Sequence, residues 1–444
     1  MVGLSPMRTS PRHGTVTPSA RGEGGKRTTF HSRWEAVLFS SPRWALASLL
    51  VITATAYLGV FAAGELTGRS AQSSQVHFSY LAESFLEGRL DVDPTRNPEL
   101  IELVPYEGKW YVPYPPLPAL LALPLVAVFG PEFPTALLSI ALAVAAVALV
   151  FLWVRALGVD LRAAWWSGLL FALGSGFWYS AVKGSSWQLA HVVGVLFLAA
   201  ALLEARTGGR GWLAGLLLGA ALWSRLPMVL ASPVLAYFLW ERHREKGESF
   251  RRTVGEVTAA AAGVVFFIGL NALYNYLRFD TLANVAYEWI PGVLEEPWYN
   301  EGILSLSYLP RSLFFALLRP PAISGEFPYL VPDANGLSLL LLTPAYFLLF
   351  RVNPRSLRVW VLLLGILLCM GPGLLHGWPG GTQLGYRFSL DAAPLLIGLL
   401  ALAMTGRWTK VIPGLVLLSV FLNVWGLVFL QSVNEGLRWW PALH

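Results

Sequence analysis

Arg225 stands between two apolar runs in ALWSRLPMVLASP, and Arg387 closes the glycine-rich stretch GWPGGTQLGYRF ahead of another. An arginine at membrane depth costs about 2.5–3.5 kcal/mol, so Arg225 must face protein or a polar cavity unless it snorkels from a helix end. Arginine stays ionised and presents a planar fork of donors, which suits it to phosphate oxygens. The glycines before Arg387 leave backbone donors free for the same anion, or they make a plain turn in which Arg387 and Tyr386 are interface anchors. Lys109, Tyr111 and Tyr114 lie in LVPYEGKWYVPYPPLPALLALPLVAVFG, where paired prolines hold the chain extended and start a helix. Aromatic rings favour the membrane interface there, and a lysine can meet a lipid phosphate. Asn275, Tyr276 and Arg278 stand at the entry to a second polar segment, beside an aromatic stretch that reads either as a route for substrate or as an inert interfacial hairpin.

The elements that carry these residues are apolar helices. Of the 444 residues, 55% are hydrophobic and only 13% are charged, where soluble domains carry about 25% charged residues. This composition describes a polytopic all-α membrane protein and excludes a soluble enzyme, a disordered scaffold and a nucleic-acid reader. The net charge of +6 therefore concerns orientation. The lone Cys369 lies in an apolar run, so no intrachain disulfide and no cysteine-based zinc site can form.

Residues 1–43 form a basic tail with no hydrophobic periodicity, read as disordered and cytosolic, and residues 44–444 form one transmembrane domain. Two polar segments interrupt the apolar runs, 65–113 with eight acids against four bases and 278–334 with seven against three. Both are expected outside, whereas the links around Arg155, Arg206, ERHREKGESFRR, Arg351 and Lys410 are basic and expected inside. Going from outside at 113 to inside at 241 needs an odd number of crossings, and the run 116–130 is short and holds Pro118 and Pro124. Treating that run as half-inserted gives about eleven spans in all, with the pair 211–224 and 226–241 read as a hairpin of broken helices.

The first outside loop opens with QSSQVHFSYLAESFLEGRLDVD, in which Val76, Tyr80, Leu81 and Phe85 repeat at helical spacing opposite Gln75, Ser79, Glu83 and Glu87. This pattern predicts an amphipathic helix at the interface, with His77 off the polar face.

In order along the chain, YLAESFLEGRL, YEGKWYVPYPPLPALL, ALWSRLPMVLASP, YNYLRFDTLANVAY and GYRFSLDAAPLL resemble the GT-C superfamily of membrane glycosyltransferases, closest to the family 39 and protein O-mannosyltransferase-like branch. The resemblance covers about Trp44 to Leu430. It implies transfer of a sugar from a polyprenyl-phosphate donor to a lipid, glycan or protein acceptor at the outer face of the plasma (inner) membrane, with inversion. Such a reaction needs cations on the departing phosphate and a base for the acceptor hydroxyl. It places Arg225, Arg387 and Lys109 on the phosphate, and Tyr111, Tyr114, Tyr386, Asn275 and Arg278 around the substrates. In the family the base is an acid early in the first outside loop, and the matching stretch here holds Ser74, Gln75 and Val76. Glu83 and His77 are the first substitutes, followed by the later acids of that loop. The reading assigns no cofactor, metal ligand or nucleic-acid partner, leaves the need for a divalent metal open, and counts membrane lipids as partners.

No Walker loop, HExxH or serine-hydrolase elbow occurs. A secondary transporter and a non-catalytic lipid-binding protein are the competing readings. Transporters bury ionisable residues at mid-bilayer in related halves, whereas here no repeat is visible and the acids gather in outside loops.

Overall fold

The computed structural model describes residues 38–66 and 73–434, apart from positions 326, 328, 334, 382 and 407. The basic tail read from the sequence lies outside the described residues as far as residue 37.

Helices dominate, and among the described residues seven are long and apolar enough to cross a membrane. These are α1 (Pro42–Leu66), α4 (Thr135–Ala156), α7 (Ser186–Thr207), α10 (Phe250–Phe279), α12 (Leu357–Leu374), the segment Arg387–Met404 that ends in α13 (Ala393–Met404), and most of α14 (Val411–Asn434). Their apolar residues run round the whole circumference, as a helix needs when lipid or protein meets every face. The α7 helix and the Arg387–Met404 segment are mostly buried and form the centre, while α1 and α10 keep most of their surface outward.

The remaining runs fold as shorter pieces. Residues 163–182 divide into α5 (Leu161–Leu173) and α6 (Phe177–Lys183) at Gly174 and Gly176. The pair 211–224 and 226–241 becomes α8 (Gly211–Leu222), an extended Arg225, a 3-10 turn over Leu226–Ala231 and α9 (Ser232–Glu245), a broken hairpin as its prolines suggest. The run 336–351 is one α-turn, Leu339–Leu342, followed by a 3-10 helix over Pro344–Arg351. Pro344 has no backbone donor to continue the first turn. The expected eleven spans therefore counted several runs that are short or broken.

Close approach of α8 and α10 rests on small residues. Gly211, Gly215 and Gly219 lie four apart on one face of α8, and a Cβ at Gly211 or Gly215 would come within 1.8 and 2.1 Å of the Glu256 and Ala260 carbonyl oxygens of α10. At the end bearing the basic links, Arg206 of α7 and Arg358 of α12 clamp Glu241 and Glu245 of α9.

At the opposite end lie both long polar segments. The first holds α2 (His77–Leu86), an antiparallel hairpin of β1 (Val104–Tyr106) and β2 (Lys109–Tyr111) with Val104 opposite Tyr111, and α3 (Leu117–Phe129) packed on α2. The second holds α11 (Leu309–Leu317) and a hairpin of β3 (Ala322–Ile323) and β4 (Leu330–Val331). The α2 helix, packed on α3, is more enclosed than its pattern predicts: Ser79, on the expected polar face, is fully buried.

Candidate functional site

A cavity of about 420 Å³ opens at the end of the molecule that carries the long loops. Its lining is apolar at Leu226, Pro227, Val229 and Leu230 of the 3-10 turn after α8 and at Ile303 and Leu304 of the second loop. It is polar and aromatic at Tyr114 before α3, Ser186 and Trp187 at the start of α7, Arg225, Tyr287, His376 after α12, and Arg387.

The two arginines both approach the Phe388 ring, their guanidinium carbons 5.7 and 5.4 Å from its centre. Their electrostatics differ. Arg225 donates from Nε and Nη2 to the two oxygens of Asp391 at 2.9 and 2.8 Å, a bidentate pair with a carboxylate that is fully buried. His191 Nδ1 of α7 lies 3.1 Å from the same carboxylate. Arg225 Nη1 makes no hydrogen bond to a described residue, so the pair fixes the fork with one edge free. Arg387 donates from Nη1 to the Gly381 carbonyl at 3.1 Å, while its buried Nε has no partner. Among the described residues no carboxylate lies within ion-pair distance of Arg387, so its charge is the one left for an anion.

The aromatic wall is held by Glu102. Tyr114 donates its hydroxyl hydrogen to Glu102 Oε2, and Trp187 Nε1 lies 3.0 Å from that oxygen and 2.7 Å from the Tyr114 hydroxyl. Glu102 has φ of 59°, a left-handed conformation uncommon for a residue with a side chain. The start of α2 holds it there: Gln75 Oε1 accepts from Ile101 N at 3.1 Å, Gln75 Nε2 donates to the Glu99 carbonyl at 2.6 Å, and His77 Nε2 donates to the Ile101 carbonyl at 2.6 Å. His77 is fully buried, burial pushes its pKa down, and its Nδ1 lies 3.1 Å from Ser186 Oγ. The Glu102 charge reaches the cavity, because it adds to the burial that pushes the Tyr287 hydroxyl up to about 12.

Of the residues expected from the sequence, Arg225, Arg387 and Tyr114 line this one cavity, and His77 packs edge-on against Tyr114 and Trp187 behind its wall. The others stand elsewhere. Glu83 is paired with exposed Arg96 at 2.9 Å on the outer face of α2. Lys109 is 59% exposed on β2, 3.7 Å from Asp91, because the tight hairpin turns it outward. Tyr111, two residues on, packs against Phe279 at 5.3 Å. Tyr386 is buried with its hydroxyl on the Gly373 carbonyl at 2.6 Å. Arg278 is buried too; it donates to Asn275 Oδ1 at 3.0 Å and to the Val112 carbonyl at 2.5 Å, so this pair braces the strand that delivers Tyr114. Trp187, Tyr287, His376 and Asp391 escaped the sequence reading, and Glu102 entered it only among the later acids of its loop. Asp391 was legible, since a carboxylate opening an apolar run implies a partner. Glu102 was one of eight acids in its loop, and only tertiary contacts distinguish it. Among the described residues no three His, Cys, Asp or Glu side chains cluster so as to hold a metal ion.

No protein-family model matches the sequence, and no curated protein matches it. Among solved structures it is similar to the Archaeoglobus fulgidus oligosaccharyltransferase tethered with an acceptor peptide containing the NVT sequon via a disulfide bond, with a TM-score of 0.44 and 13% identity over 90% of this chain and 56% of that one. The chain thus spans little more than half of that enzyme's length, and a likeness at this level leaves the functional reading to the geometry of the cavity.

Proposed function

We propose that this protein is a membrane glycosyltransferase of the GT-C kind, which moves a sugar, with inversion, from a polyprenyl-phosphate donor to an acceptor at the outer face of the plasma membrane. The observation that carries the reading is the convergence of Arg387 and Arg225 on one cavity that is also lined by the apolar side chains of Leu226, Val229, Leu230, Ile303 and Leu304. An anionic headgroup with a hydrocarbon tail meets both surfaces. Arg387 faces the phosphate with an uncompensated charge, and Arg225 offers it the free edge of a fork fixed by Asp391. As the sugar departs, the phosphate gains charge, so these donors hold the transition state more tightly than the ground state. Tyr114 and Trp187 offer ring faces and edges to a sugar, steadied by Glu102.

Purified protein in lipid, given a panel of polyprenyl-phosphate sugars, tests this by donor consumption. Changing Arg387 to Ala should lower turnover about a hundredfold to a thousandfold, as loss of one oxyanion donor does elsewhere. Wild-type protein that neither binds nor consumes any donor in the panel would defeat the reading, as would an Arg387→Ala variant that turns over normally.

A further inference from the structure

The transfer proposed above needs an acceptor for the incoming hydroxyl's proton, and among the described residues no carboxylate lines the cavity. Asp391 is fully buried against Arg225 and His191, and Glu102 stands behind Tyr114 and Trp187. We propose that His376 takes this proton through Nε2. The inference rests on the glycosyl-transfer reading and deepens it.

His376 lines the cavity beside Arg387 and Phe388. Its Nδ1 lies 2.8 Å from the Trp378 carbonyl, and a carbonyl only accepts, so Nδ1 carries the hydrogen and Nε2 keeps the lone pair. Nε2 makes no hydrogen bond to any described residue. The ring cannot easily turn away. Its backbone pairs with Leu304, flanked by Ser305 N to the Leu375 carbonyl at 2.9 Å and Gly377 N to the Ile303 carbonyl at 3.0 Å. Tyr287, Tyr299 and Phe388 pack edge-on against it at 5.6, 5.4 and 5.6 Å. The charged groups that act on it are Arg387, Arg225 and Arg311, which add to burial in bringing its pKa down to about 4. A neutral imidazole of that basicity is as weak a base as a carboxylate. That strength suffices where the proton leaves only as the new bond forms.

The step balances as a displacement. The acceptor oxygen bonds to the anomeric carbon as the bond from that carbon to the phosphate oxygen breaks, and the electron pair leaves with the phosphate. The acceptor proton passes to Nε2, and the resulting imidazolium returns it to water or to the released phosphate.

The test uses the full chain in lipid with His376→Gln and Glu102→Gln, reading decaprenyl phosphate binding, donor turnover and the pH profile of turnover. His376→Gln should bind decaprenyl phosphate as wild type does, turn over about a hundredfold or more slowly, and lose the acid limb of the profile. Glu102→Gln should keep that limb. The proposal is overturned if His376→Gln keeps its turnover or its acid limb, if it no longer binds decaprenyl phosphate, or if Glu102→Gln is the variant that loses the limb. Failure here with Arg387→Ala still inactive leaves the transfer reading standing; wild-type protein that consumes no donor defeats both.

Discussion

Two arginines in one wall have different partners, and that difference sets what each variant should do. Arg225 is matched to buried Asp391, so changing Asp391 to Asn strands a cation and should cost about 3–5 kcal/mol of stability. Thermal unfolding in detergent checks this, and an Arg225→Met/Asp391→Asn double change should recover much of the loss. Failure of the double change to recover would mean that the His191 contact with Asp391, not the pairing with Arg225, carries the stability. The histidines give a pH prediction. His376 has a folded pKa near 4 against an ordinary 6.5, so the unfolded chain binds its proton more tightly. Stability is therefore complete above the ordinary value and is lost as pH falls from about 6.5 to about 4, by on the order of 3 kcal/mol. His77, lowered by the same burial, adds in the same direction. The difference in unfolding temperature between wild type and His376→Gln should change across that window and be flat above it. At this scale the sequence was legible where burial of a charge is costly, as at Arg225 and Arg387. It was silent where a residue such as Glu102 owes its place to hydrogen bonds from Gln75 and His77, more than twenty residues away.

Helices position these groups through breaks as much as through spans. Arg225 reaches the cavity because α8 stops at Leu222 and the chain runs extended before the 3-10 turn. The prolines there made the break legible. The break at Gly174 and Gly176 carries no proline, and it shows only in tertiary contacts, where a Cβ at Gly176 would meet the Leu384 carbonyl oxygen at 2.6 Å. The glycine face of α8 gives a prediction. Gly215→Ala would press a methyl into the α10 backbone at Ala260 and should destabilise the protein by about 1–3 kcal/mol, measured by unfolding in detergent. Gly269→Ala, with open space at its Cβ, is the control and should leave stability unchanged or slightly raised. Equal effects from both would show that α8 and α10 can part without loss.

For the molecule as a whole, the account requires the two polar segments and the basic links to face opposite compartments. With Cys369 changed to Ala, single cysteines at Ser249 and Glu295, both exposed, should react with a membrane-impermeant reagent from opposite sides. Labelling of both from one side would invert half of the topology. The charge asymmetry separates the polar segments from the basic links, which the fold places at opposite ends, whereas span length misleads, because runs such as 336–351 fold as short turns. If the outer cavity holds a lipid-linked phosphate between its arginines, a crystal structure with bound decaprenyl phosphate should show it. The phosphate should lie within hydrogen-bond reach of Arg387 and of Arg225 Nη1, with the hydrocarbon chain running along Leu226, Leu230 and Leu304. A phosphate bound away from both arginines, or a chain threaded along the Tyr114 and Trp187 wall instead, would contradict it.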